Sequence, residues 1–122
     1  MDSVLLETVG PHADRLRRRT SIRLMTRNRK DRASHYPDLE AAIVARAGSD
    51  LIADGEIVAF DGERTSFSRL QDRMQNPRPT AQQVMAAPVH YYLFDLLWFE
   101  GYDLTALPLV TRKDVAQSPR VR

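Results

Sequence analysis

The chain has 122 residues, 43% of them hydrophobic and 28% charged, which is the scale of one small domain with a modest core. The absence of cysteine excludes disulfides and thiolate metal sites and fits a reducing compartment. No apolar run approaches membrane-spanning length and no basic-then-apolar leader opens the chain, so a cytoplasmic protein without a membrane partner is the expectation.

Residues 1–20 are weakly specified. Val4, Leu5 and Leu6 could start a strand or a helix, but Gly10-Pro11 interrupts any regular element. The net charge of +2 hides an asymmetry: nine basic residues and one acid, Asp31, lie between Arg15 and Arg32. All but Lys30 and Lys113 of the basic residues are arginine, whose planar fork suits phosphate, so this stretch is either a polyanion-binding face or an ordinary solvated one. From Ser21, Ile22, Leu24 and Thr26 alternate with Arg23, Met25 and Arg27, which predicts a strand; the polar run Asn28 to Ser34 predicts a loop. Pro37 suits the first position of a helix, Asp38 and Glu40 complement its positive end, and Gly48 is its natural stop.

Asp54-Gly55 reads as a turn between two strand pieces, Leu51-Ile52 and Ile57 to Phe60, with Glu56 at the second strand's entry. After the Asp61-Gly62 turn, Ser66 caps a helix with Phe67, Leu70 and Met74 on one face, and Asn76 to Pro79 breaks it. A short helix over Ala81 to Ala86 precedes Val89 to Phe99, which is apolar at nearly every position and predicts a central strand buried on both faces. Glu100 to Asp103 is a turn, Leu104 to Leu109 packs down, and a helix starting at Thr111 has no room to develop before a polar tail at 116–122. The fold class that follows is α+β: a mixed or antiparallel sheet with flanking helices.

Several of these stretches, in this order, resemble the adenylation domain of ATP-dependent DNA ligases, in particular the bacterial end-joining type. They are Thr26-Arg27-Asn28 with Tyr36 to Leu39, Asp54 to Asp61, Ser66 to Met74, and Tyr91 to Leu97 with Gly101 to Leu104 and Leu107 to Leu109. The resemblance spans residues 21–115. It implies a partial ligase-type nucleotidyltransferase fold, ATP-grasp-like, with ATP and a divalent metal (Mg or Mn) as cofactors. Nicked double-stranded DNA would be the partner, and phosphodiester formation through an AMP intermediate the activity, in DNA repair or recombination.

The same resemblance assigns site residues. Phe94 matches the aromatic that stacks on adenine, Glu56 the nucleotide-site carboxylate that meets the ribose and helps organise the metal-bound site, and Arg27 the basic residue that holds nucleotide and 5′-phosphate. Judged as residues alone, the three would be a core phenylalanine, an exposed strand-end acid and a surface arginine. Asp54 fixes the turn and His90 is structural. The family's nucleophile is a lysine in Lys-x-Asp-Gly-x-Arg, which forms a covalent lysine-AMP. By spacing it should fall near Glu7 to Gly10, where no lysine stands, and neither Lys30 nor Lys113 has its context. No catalytic residue and no protein metal ligand are therefore assigned. The expectation is a fragment, inactive alone, that lacks the later motifs. The alternative is a non-catalytic nucleotide- or DNA-binding remnant.

Overall fold

The computed structural model describes residues 2–10, 20–46, 50–100 and 102–116. The Arg15 to Arg19 cluster, Gly48 and most of the polar tail lie outside them. Their elements are β1 (Asp2–Val9), β2 (Ser21–Met25), a 3-10 turn (Ala33–His35), α1 (Pro37–Arg46), β3 (Leu51–Asp61), β4 (Arg64–Thr65), α2 (Phe67–Met74), α3 (Ala81–Ala86), β5 (Val89–Phe99), β6 (Tyr102–Asp103) and α4 (Leu109–Ala116). The sheet order is β2-β1-β3-β5-β6, with β4 hairpinned onto the end of β3 across Gly62, and every pairing is antiparallel. Among the described residues no helix is long and apolar enough to cross a membrane.

Three helices form where their local signals place them. Pro37 opens α1 with Asp38 and Glu40 in its first turn. The Ser66 hydroxyl accepts from the Arg69 amide at 3.2 Å and starts α2. A capping box between Thr80 and Gln83 starts α3. Helices α1 and α2 supply Leu39 and Leu70 to a core completed by Val4, Leu6, Leu24, Leu51, Ala53, Ile57 and Leu96 of the sheet and by Tyr36. Successive strand side chains point to opposite faces, so these strand residues define the covered face.

The structure overturns four expectations. The weakly specified N-terminal segment supplies β1, an internal strand paired on both sides, with Leu6 opposite Leu24 and Ala53. Its period-2 burial, with Val4, Leu6 and Thr8 inward, needs both neighbours, which no local window contains. Asp54-Gly55 is not a turn: β3 runs unbroken from Leu51 to Asp61. Strand β5 is not buried on both faces: Tyr92, Phe94 and Trp98 are 46%, 48% and 36% exposed. The last helix forms fully as α4, starting at Leu109 rather than Thr111 and packing against β5.

Among the described residues the buried charge is Arg73. It is 1% exposed, and its guanidinium lies 5.4 Å from the centroid of the Tyr36 ring. It donates to the carbonyls of His35 (3.1 Å) and Ala87 (2.7 Å) and to Asp38 Oδ1 (2.5 Å). One side chain thereby ties α2, the start of α1 and the lead into β5, which fixes the helical layer beneath the sheet.

Candidate nucleotide site

The uncovered face of the sheet carries a cavity of about 300 Å³ lined by Ser3, Val4 and Leu5 of β1, Met25, Thr26 and Arg27, Asp54 and Gly55 of β3, and Phe94 of β5. All four main strands contribute to it, β2 through its last residue Met25, and the loop leaving β2 closes one end. That loop is stiffened by its own backbone. The Thr26 amide donates to the Lys30 carbonyl at 3.0 Å, the Arg29 amide to the Thr26 carbonyl at 2.9 Å, and the Lys30 amide to Thr26 Oγ1 at 3.2 Å. Asp31 Oδ1 then accepts from the amides of Leu24 (3.1 Å) and Ala33 (3.0 Å), which sews the loop's end back onto β2. Arg27 is carried on this loop and is exposed.

Phe94 reaches the cavity through an irregularity. The register of β5 against β3 moves from Gly55↔Leu93 to Asp54↔Asp95, so Phe94 has no partner across the ladder. An extra residue in one strand bends it and re-aims a side chain. Phe94 is 48% exposed, far from the core phenylalanine its apolar surroundings suggest.

Of the three candidate residues, Arg27 and Phe94 line the cavity and Glu56 does not. Glu56 stands two residues along β3 from Asp54, opposite Ser3 and Tyr92, and therefore on the same face of the sheet. The carboxylate that lines the cavity is Asp54, the residue read from sequence as a turn former. A continuous strand from Leu51 to Asp61 puts Asp54 and Glu56 at i and i+2 on one face; the signal was that spacing, masked by the Asp-Gly dipeptide. Glu7 lies opposite Arg23 and Ile52, on the Leu5 face but about 7 Å further along β1. No lysine lines the cavity. Lys30 and Lys113 are both exposed. His90 is exposed and packs edge-on against Phe60, with ring centroids 5.1 Å apart.

A half-exposed aromatic ring, a guanidinium on a fixed loop and a carboxylate facing them suit a planar base attached to an anion. Among the described residues no group of three His, Cys, Asp or Glu could hold a metal ion. Magnesium keeps several waters and can take a single protein carboxylate beside substrate phosphates, and Asp54 is the carboxylate that lines the cavity.

Comparison with known proteins identifies the family of the chain. The profile of the family described as "ATP dependent DNA ligase domain" matches residues 14–118. A DNA ligase from Pyrobaculum calidifontis is 37% identical over 100 residues, covering 79% of this chain and 17% of that protein. A DNA ligase from Saccharolobus shibatae is 30% identical over 112 residues, covering 89% of this chain and 19% of the relative. The chain thus spans less than a fifth of the length of these curated relatives. In fold it is similar to a mycobacterial DNA ligase D complexed with ATP and MES, with a TM-score of 0.67 at 24% identity, over 95% of this chain and 33% of that one. The chain belongs to the ATP-dependent DNA ligase domain family.

Proposed function

We propose that this chain forms the nucleotide-holding part of a ligase adenylation domain of the bacterial end-joining type, and that it binds an adenine nucleotide without attacking it. The observation that carries this reading is the convergence of Arg27, Asp54 and Phe94, distant in sequence, on one cavity. Phe94 stacks on the base, which is worth roughly 1–3 kcal/mol by alanine substitution. Arg27 meets phosphate, and a hydrogen bond to a charged group contributes about 1.5–3 kcal/mol. Glu56 stands further along the same face for the ribose. Asp54, inside the cavity, would meet a divalent ion at the phosphates, where the ion would neutralise charge. The order of the motifs suggests the end-joining type, and nicked double-stranded DNA would be the substrate of the larger enzyme this piece would serve.

Formation of a lysine-AMP needs an amine aimed at the α-phosphate in line. Neither Lys30 nor Lys113 lines the cavity, so the chain by itself should bind and not react. The test is in two parts. Titration of ATP and AMP, read by the fluorescence of Trp98, the chain's one tryptophan, should show saturable binding that Phe94→Ala weakens several-fold or more. Incubation with α-labelled ATP and magnesium or manganese should leave no label on the denatured protein. Failure to bind either nucleotide sinks the holding role, and a labelled band lost in Lys30→Ala or Lys113→Ala sinks the non-catalytic one.

A further inference from the structure

Strand β5 is irregular at two places where it passes the open face. Besides Phe94, Leu97 is also left without a partner, because the register moves again from Ala53↔Leu96 to Ile52↔Trp98. Asp95 and Leu96 are the paired residues between the two bulges. A bulged segment has lost ladder hydrogen bonds, so its shape depends on what else holds it.

Besides its pairing with β3, two ties reach it from the segment that follows β6. The Leu104 amide donates to the Leu97 carbonyl at 2.8 Å. Arg112 of α4 grips Asp95 with two parallel bonds, Nε to Oδ1 at 2.6 Å and Nη2 to Oδ2 at 3.0 Å. Its remaining nitrogen, Nη1, donates to the Leu107 carbonyl in the turn that leads into α4. One guanidinium therefore joins the helix, the turn before it and the carboxylate next to Phe94. The Arg112 and Asp95 side chains are only 15% and 20% exposed, unlike a loose surface ion pair. Both forks of the arginine are used, so a lysine could supply the charge but not the geometry.

The geometry points to Arg112 and Asp95 as the positioning pair for Phe94: their clamp holds the β5 bulge in the shape that turns the ring into the cavity. Arg112 acts through Asp95 and the bulged backbone and need not touch a ligand. The geometric claim stands on the free protein, and its consequence for affinity rests on the nucleotide-holding role of Phe94. A purely structural Arg112 would anchor α4 and leave the ring where it is.

The two are separated by labelling the protein with 4-fluorophenylalanine and assigning the Phe94 fluorine line by Phe94→Leu. In Arg112→Lys and Asp95→Asn, both milder than truncation, the Phe94 line should shift or broaden while that of Phe60, on the opposite end of β3, stays in place. AMP affinity should fall several-fold in both variants, more than any loss in thermal stability accounts for. An unchanged Phe94 line in two folded variants overturns the proposal, whatever happens to α4. If the wild-type protein binds no nucleotide, the holding function falls while the fluorine spectra still decide the positioning claim.

Discussion

Gly55 lies against the ring of Tyr91 so closely that a side chain there has nowhere to go. A Cβ built on Gly55 would come within 2.5 Å of Tyr91 Cζ and 2.6 Å of its Oη, and would also press on the Tyr92 carbonyl. The glycine of the Asp-Gly dipeptide serves close approach between β3 and β5, not a turn. Its absence of bulk lets the Tyr91 hydroxyl reach the carbonyls of Val4 (3.3 Å) and Ala53 (3.4 Å) beneath the cavity floor. Burial, with a smaller push from the Asp54 charge, holds this phenol above its ordinary pKa, so it remains a donor well into alkaline solution.

Gly55→Ala should destabilise by about 1–3 kcal/mol, the usual cost of overpacking a filled site. Part of the obstruction is backbone, so relaxation of the tyrosine alone does not relieve it. Tyr91→Phe should cost less, about 0.5–1.5 kcal/mol, because only hydrogen bonds are lost. Paired denaturant titrations rank the two, and a milder effect from Gly55→Ala would refute the packing account.

Arg73→Met should cost about 3–5 kcal/mol, enough to unfold a small domain, since it strands the His35 and Ala87 carbonyls and the Asp38 carboxylate. Asp38→Asn should be milder: the Asp38 side chain is 26% exposed, so water screens part of the pair, and both carbonyl bonds to Arg73 survive. Circular dichroism melts of the two variants give the comparison, and equal losses would place the energy in the ion pair instead.

Asp2 supplies a pH dependence of defined sign. Burial raises its pKa above the ordinary aspartate value, against the opposing pull of Arg32 and the Tyr36 hydroxyl. A carboxyl whose folded pKa exceeds its unfolded one contributes most at low pH, and that contribution is lost as pH rises through the folded value. Asp2→Asn should therefore be more stable than wild type at neutral pH, with the gap closing on acidification below the ordinary aspartate range. Melting temperatures between pH 3 and 7 read it. A gap that widens in acid would show that the Tyr36 bond outweighs the burial.

The loop bearing Arg27, Arg29 and Lys30 borders the cavity with its charges outward, as a phosphate contact requires. Binding of nicked duplex DNA should be weak, indifferent to sequence and steeply reduced by salt. Arg27→Ala should remove part of it and flatten the salt slope by about one unit, as expected for a single phosphate contact. Fluorescence anisotropy at two or more salt concentrations is sufficient, and salt-independent binding would exclude this loop as the contact.

Local chemistry in the sequence determined α1, α2 and α3, whose caps and apolar spacing lie within a few residues of one another. It also determined the strand character of β2 and β5, and the resemblance identified Arg27, Glu56 and Phe94 as candidates. Tertiary structure decided the rest, for reasons of range. Strand β1 exists because β2 and β3 flank it, and its own window ends ambiguously at Gly10. Asp54 belongs to the cavity because β3 continues through a dipeptide that elsewhere makes a turn. Arg73 is buried because three carbonyl and carboxylate partners from 14 to 38 residues away converge on it. The apolarity of β5 showed that it could be covered on both faces, but apolarity carries no information about which neighbours are there to do it. Whether Phe94 is core or ligand-facing turns on a one-residue shift of register, and such a shift is settled only by the pairing of two strands.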